Sequence, residues 1–177
     1  GYALVALGRS SAAESLYVRK LPVAAAIGDT LHEGFMHKGL AYIRLLDGRT
    51  REALAGFARA EPLLRAGRNS FGEIDAITGQ GRAWEQLGEL DRARATYQRV
   101  ARLARENKRP QNEADALNNL GNLEFVRGDP AAGLRAFRAT RALRQRLGNA
   151  YDIVLPACNE ARALAELGRV TEAGATL

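Results

Sequence analysis

Cysteine, lysine and histidine are among the scarce residues of this chain. One cysteine, Cys158, stands in 177 residues. A single thiol excludes an intrachain disulfide and any metal site built from several cysteines. We read it as a small buried hydrophobe. Lysine occurs only at positions 20, 38 and 108, so the basic side is almost all arginine. The net charge is +6 and the sequence pI is near 10, which admits acidic partners. We read the arginine bias first as overall composition and second as selection for phosphate contacts. The two histidines, His32 and His37, lie five apart on different sides of a helix, with no second acidic or cysteine cluster, which argues against a metal centre. Neither a Ser-His-Asp nor a Cys-His set can be assembled, and no Gly-rich phosphate loop is present. The chain therefore reads as non-enzymatic and without a cofactor. No apolar run approaches the roughly 18–20 residues that span a bilayer, and no signal-peptide pattern is seen, so the expected setting is cytoplasmic, away from membranes. The chain begins without Met inside an apparent helix, and we expect it to be a piece of a longer protein.

What the chain has in abundance is leucine, alanine and arginine, good helix formers, with few β-branched residues. They are arranged periodically. Gly8, Gly48, Gly88, Gly128 and Gly168 are spaced by 40 residues. A small residue follows each by five positions (Ala13, Ala53, Ala93, Gly133, Ala173), and a large one by nine (Tyr17, Phe57, Tyr97, Phe137, Leu177). A further small residue stands seven positions before the last four glycines, at Ala41, Gly81, Gly121 and Ala161. Each column has a physical use. The corner glycine accepts the positive φ that ends a helix. The small columns let helix backbones approach closely. The large, mostly aromatic column fills the space between them.

Capping signals divide the repeat into helices. Ser11-Ala12-Ala13-Glu14, Thr30-Leu31-His32-Glu33 and Ser70-Phe71-Gly72-Glu73 read as capping boxes. Asp129-Pro130 reads as an N-cap with proline at the first helical position, opening a helix that Gly148-Asn149 closes. The expected helix pairs are 30–66, 70–106, 110–147 and 152–177, with a partial unit at 1–27, all in a single domain over 1–177. Pro22 and Pro62, one period apart, predict kinks or early endings late in their helices. Pro156 predicts a later start or a bend in its helix. Trp84 is expected to pack between helices.

These columns resemble the tetratricopeptide repeat. Leu120-Gly121, Phe125, Gly128, Gly133, Phe137 and Thr140 stand where that motif places its Leu-Gly, aromatic, corner Gly, small, aromatic and small residues, and Gln80-Gly81, Trp84, Gly88, Ala93, Tyr97 and Val100 repeat the order. The usual unit is about 34 residues; the six extra residues should lengthen the helices by roughly a turn and a half. Gln80 and Glu160 depart from the usual Leu, and Ala41 and Ala161 from the usual Gly. Long units of this kind are similar to those of kinesin light chains, Leu-Gly-Asn-repeat adaptors, bacterial signal-transduction ATPases of the maltose-activator type and peptide-sensing regulators. The resemblance implies an all-α, right-handed superhelical solenoid of antiparallel helix pairs, about four full units with partial ends. It also implies that the first helix of each pair lines a concave face.

The exposed stripe of those first helices follows from helical spacing. It runs Asp115, Asn118/Asn119, Asn122, Phe125 on one unit. Shifted by the period, it becomes Phe35, Lys38, Tyr42, Leu45 on another, Asp75, Thr78, Arg82, Glu85 on a third, and Leu155, Cys158/Asn159, Arg162 on the last. The candidate partner-binding residues are Lys38, Tyr42, Arg82, Glu85, Asn118, Asn119, Asn122, Phe125, Asn159 and Arg162. Asparagine amides can pair with an extended peptide backbone, arginine can fork onto a carboxylate, and the aromatics can anchor apolar side chains. Two bland alternatives stand beside this. The asparagines can simply be solvated, and Arg82 and Arg162 can pair with Glu85 and Glu166 on their own helices. The carboxylate-clamp pattern of the family is only partly met, since Lys38 is followed four residues on by Tyr42 rather than Asn.

A second charged feature lies on the other helices. Arg92, Arg94, Arg99, Arg102, Arg105, Lys108 and Arg109 crowd one second helix and its loop, and Arg135, Arg138, Arg141, Arg144 and Arg146 crowd the next. The leading expectation is a non-catalytic protein- or peptide-binding scaffold in a larger bacterial regulatory protein. The alternative is binding of nucleic acid or an acidic surface by this ridge, weakened because the ridge lacks stacking aromatics. Self-association through the terminal helices Gly1–Leu7 and Thr171–Leu177 is a further expected contact.

Overall fold

The computed structural model describes residues 10–148 and 151–176. Gly8, the Gly1–Leu7 helix with the stacking inferred from it, Asn149 and Leu177 lie outside the described residues. All described elements are helical: α1 (Ser10–Ala26), α2 (Thr30–Leu46), α3 (Thr50–Ala66), α4 (Ser70–Gln86), α5 (Leu90–Glu106), α6 (Pro110–Val126), α7 (Pro130–Arg146), α8 (Tyr151–Glu166) and α9 (Val170–Thr176). None is long and apolar enough to cross a membrane. The chain divides into two compact units, Gly1–Glu89 and Leu90–Leu177.

The first seven described helices each contain 17 residues, and three-residue connections separate them. The 40-residue period is therefore two copies of a 20-residue helix-and-corner step. At each corner whose closing residue is described, the amide after the turn reaches back to a carbonyl five residues earlier, as in Arg49 N to Arg44 O (2.8 Å) and Asp129 N to Glu124 O (2.9 Å). That closure needs one residue with positive φ. Glycine supplies it at positions 28, 48, 88, 128, 148 and 168, while Arg68 (φ 53°) and Lys108 (φ 54°) take the same conformation with a side chain. The glycine column of the sequence marks every second corner, and the intermediate corners are less strictly glycine.

Helix starts lie one residue earlier than the capping-box reading. Asp29 and Asn69 are the N-caps, accepting from His32 N (3.1 Å) and Gly72 N (2.7 Å), so Thr30 and Ser70 are already helical. Asp129 caps α7 through Ala132 N at 2.8 Å, with Pro130 next. The glutamate thus freed from the Ser70 box, Glu73, reaches across helices, accepting from Arg65 Nε at 2.6 Å, and Glu113, one period after Glu73, accepts in the same way from Arg105 Nε at 2.8 Å. Pro22 and Pro62 do not shorten their helices, which match α5 in length. The carbonyls they leave without a helical donor belong to Val18 and Ala58, both on exposed residues where water can serve.

In the first unit α1 packs on α2, α2 on α3 and on α4, and α3 on α4. Its core joins Ala41, Leu45, Ala53, Phe57, Ala60 and Leu64 with Ala76 and Ala83. Leu45, expected on the exposed stripe, belongs to this core, because its position on α2 faces α3. In the second unit α5 packs on α6, α6 on α7, α7 on α8 and α8 on α9. Leu134 and Phe137 meet Ala161, Ala163, Leu164 and Ala173 there, with Phe125 against them. Phe57 and Phe137 are fully buried, and full burial of each ring contributes about 1.5–3 kcal/mol.

The aromatic column settles on whichever neighbouring helix lacks a Cβ. Phe57 lies on Gly79 of α4, where an added Cβ would come within 2.4 Å of its ring. Phe137 lies instead on Gly121 of α6, again at 2.4 Å. The equivalent choices are reversed in sequence: Ala41 and Gly79 flank Phe57, Gly121 and Asn159 flank Phe137.

The two departures from the repeat leucine are polar ties between helices. Gln80 donates to Glu61 of α3 (2.9 Å). Glu160 is buried, held by Arg138 (2.9 Å) and Arg141 (3.0 Å) of α7. Burial of a carboxylate is tolerated only with such paired charge.

Candidate functional site

Each unit carries its own stripe of first-helix residues. In the first, α2 presents Lys38 and Tyr42 toward Asp75 of α4. Lys38 is buried, with Nζ 2.5 Å from Asp75 Oδ2 and 5.2 Å from the Phe35 ring centre. The Tyr42 hydroxyl donates to Asp75 Oδ1 (2.8 Å), and its ring meets Phe57 edge-on with centroids 4.8 Å apart. Lys38 and Tyr42 are therefore an interhelical lock joining two consecutive first helices. The signal was in the sequence, as Asp75 and Lys38 are 37 residues apart on facing helices. Spacing along α4 alone places Asp75 on the exposed stripe, and only the facing helix α2 takes it into the ion pair. Arg82 is exposed and forms no ion pair with another described residue; Glu85 is half-buried on the next turn of α4.

The second unit shows the same layering with different chemistry. Asn159 Nδ2 of α8 donates to Asn118 Oδ1 of α6 at 3.1 Å. One turn on, Arg162 Nη2 donates to Asn122 Oδ1 at 3.4 Å, and the Arg162 guanidinium carbon lies 4.3 Å above the Phe125 ring. Asn119 is half-buried beside them. Arg162 thus reaches across to α6 rather than along its helix to Glu166. In the amide pair each partner has used only part of its capacity: Asn118 keeps its NH2 group and Asn159 its carbonyl. The stacked, still exposed guanidinium retains donors for a carboxylate. Cys158, expected to be buried, is exposed on the same helix face, since α8 meets α7 through the opposite side.

Much of the arginine ridge is internally compensated. Arg94 pairs with Glu124 (2.5 Å), Arg105 with Glu113 (2.6 Å) and Arg144 with Asp115 (2.6 Å), and Arg138 and Arg141 share Glu160. Arg102, Lys108, Arg135 and Arg146 are exposed and form no ion pair with another described residue. Among the described residues no group of three or more His, Cys, Asp or Glu side chains could hold a metal ion. His32 instead meets its N-cap, Asp29, at 2.7 Å, and the His32 backbone amide is the main reason the Asp29 carboxyl lies below its ordinary pKa.

No protein-family model matches the chain, and no curated protein does. Solved structures do. The chain is similar to BtubC (BKLC) from P. vanneervenii, with a TM-score of 0.87 and 20% identity, over 98% of this chain and 72% of that one. It is similar to a putative kinesin light chain from Podosopora anserina with nearly identical TPR-like repeats (TM-score 0.79, 14% identity, 99% of this chain and 87% of that one). It is also similar to a Rap protein complexed with Competence and Sporulation Factor (TM-score 0.79, 12% identity, 99% of this chain and 49% of that one). At these identities the likeness shows the fold: an all-α array of TPR-like helix pairs.

Proposed function

We propose that the chain is a non-catalytic binding scaffold for a peptide or partner protein, within a larger bacterial regulator. The contact surface is the first-helix stripe of its second unit. The observation that carries this is the layered set Asn118–Asn159 and Asn122–Arg162–Phe125. These side chains hold one another in place, yet keep a donor, an acceptor and a guanidinium face open. Such a layer suits an extended chain, whose backbone alternates N–H and C=O and whose acidic side chain or terminus would meet Arg162. The Rap protein crystallised with Competence and Sporulation Factor supports this reading, as an array of similar fold with a bound partner. Lys38 and Tyr42 would act indirectly, by fixing the spacing of α2 and α4.

Panning a random peptide library against the immobilised chain tests this. Enriched peptides are expected to lose at least about tenfold in affinity on the N122A/R162A variant, since each charged hydrogen bond is worth about 1.5–3 kcal/mol. Circular dichroism should show the variant still folded. Equal binding to both proteins would remove the stripe as the site.

The alternative rests on charge. Residues 90–177 hold 15 Lys and Arg against 10 Asp and Glu, whereas residues 1–89 hold 11 against 10. Nucleic-acid binding would have to use Arg102, Lys108, Arg135 and Arg146. It would weaken steeply with salt, and absence of a gel shift at low salt would dispose of it.

A further inference from the structure

A cavity of about 280 Å³ opens between α1, α2 and α3, on helices that carry none of the second-unit stripe. Its size is near the lower end of small-molecule sites, which start at about 300 Å³. Val18 and Leu21 of α1, Leu40 of α2 and Ala55 of α3 give it an apolar lining. The polar lining is His37, Arg44, Glu52 and Arg59.

Three observations set this cavity apart from the general repeat. First, His37 stands in a column that is otherwise apolar: Ile77, fully buried, then Leu117 and Ala157 at the equivalent positions. The repeat packs without a polar group there, so its presence in the first unit is not a requirement of the fold. Second, the cavity's own lining holds two guanidiniums, Arg44 and Arg59, against one carboxylate, Glu52. Glu14 and Glu52 are shared between Arg44 and Arg49, with Arg44 Nε 3.3 Å from Glu14, Arg49 Nη1 3.0 Å from Glu14 and Arg49 Nη2 2.7 Å from Glu52. Arg59, also lining the cavity, forms no ion pair with another described residue. Third, His37 protonates less readily than a free imidazole. Burial lowers its pKa first, Glu33 opposes this from 3.8 Å, and Arg59 and Arg44 lower it further. An arginine without an ion pair in this lining, beside an imidazole that can donate an N–H, suits an anion.

We propose that this cavity binds a small free organic carboxylate. The apolar body would rest on Val18, Leu21 and Leu40, and the carboxylate would lie against Arg59 with His37 as a second donor. It is a ligand site separate from the peptide stripe, and it holds whether or not that reading does.

Calorimetry and NMR on the full chain with benzoate and octanoate test it, with methyl benzoate and octanol as neutral counterparts. The acids are expected to bind saturably and at least about tenfold more tightly than the neutral compounds, the gain of a charge-assisted contact. Bound acid should raise the pH at which His37 protonates. Arg59→Ala should weaken binding about tenfold. Ala55→Leu, at an exposed position where the larger side chain only fills the cavity, should abolish it with the melting temperature unchanged. Four results would overturn the proposal: no saturable binding up to about 10 mM, neutral compounds binding as well as the acids, undiminished binding to both variants, or a Leu-terminated free-acid peptide binding far more tightly than octanoate, which would make the occupant a polypeptide terminus.

Discussion

The two units solve one packing problem with opposite chemistry. Both must join consecutive first helices across a layer of side chains. The first uses a buried charge, Lys38 on Asp75 with the Tyr42 hydroxyl on the same carboxylate. The second uses neutral amides and an exposed arginine, Asn159 on Asn118 and Arg162 on Asn122. The aromatic column differs as well, with Phe57 on the glycine that follows it and Phe137 on the glycine that precedes it. A layer closed by a buried ion pair has little left to offer a ligand, whereas a layer of half-satisfied amides does. The repeat thus keeps its period while one unit spends its polar groups on a buried ion pair and the other leaves part of its hydrogen-bonding capacity unused.

Truncating the aromatic column should give the largest effects in both units. Phe57→Ala and Phe137→Ala are each expected to cost about 3–5 kcal/mol in urea unfolding. A much smaller loss at either ring would show that its unit is loosely packed and would end the equivalence. The difference in ring direction is tested by glycine. Gly79→Ala and Gly121→Ala should each destabilise by about 1–3 kcal/mol through overpacking. Adding Asn159→Gly to Gly121→Ala gives the second unit the arrangement of the first. Part of that loss should return as Phe137 moves onto α8, and a double variant no better than the single would refute the account of ring direction.

The interhelical layers should separate next. Lys38→Ala leaves Asp75 without its cation and is expected to cost about 1–3 kcal/mol. Asn159→Ala removes a neutral hydrogen bond and should cost about 0.5–1.5 kcal/mol. Equal losses in chemical denaturation would show that buried charge does not distinguish the first unit. Replacing Glu160 by leucine, the residue of the same column at positions 40 and 120, removes a buried carboxylate and leaves Arg138 and Arg141 where water can reach them, so the cost should stay within about 1 kcal/mol.

The smallest expected effect concerns pH and only the first unit. The folded state disfavours protonated His37, so its contribution is fully present above the ordinary histidine pKa of about 6.5 and falls away as pH drops through that value toward the lowered folded one. The melting temperature should therefore decline between about pH 7 and pH 5 more in the parent than in His37→Ile. Parallel curves would remove the burial argument for His37.

Much of the fold was legible because a repeat states its rules several times. The columns at Gly48, Ala53 and Phe57 recur at one spacing, and each residue type admits few physical uses. The Asp129-Pro130 start was legible for the same reason, as a cap beside a residue that cannot donate. The caps at Asp29 and Asn69 were displaced by one position because Thr30 and Ser70 are themselves good caps, and only backbone geometry decides between neighbours. The site was less legible. Spacing placed Asn118, Asn122, Asn159 and Arg162 on one face of their helices, but Lys38 looked the same in that scheme and is buried.

The sequence by itself determined the helices, their corners, the repeat and the small-and-large complementarity of the packing columns, since these follow from local conformational preference and a fixed period. Only the tertiary structure decided which polar residues are consumed by neighbours some 40 positions away. A charge or amide is available to a ligand only if no facing helix satisfies it first. That depends on distances of a few ångströms between helices, which residue spacing along one helix does not contain.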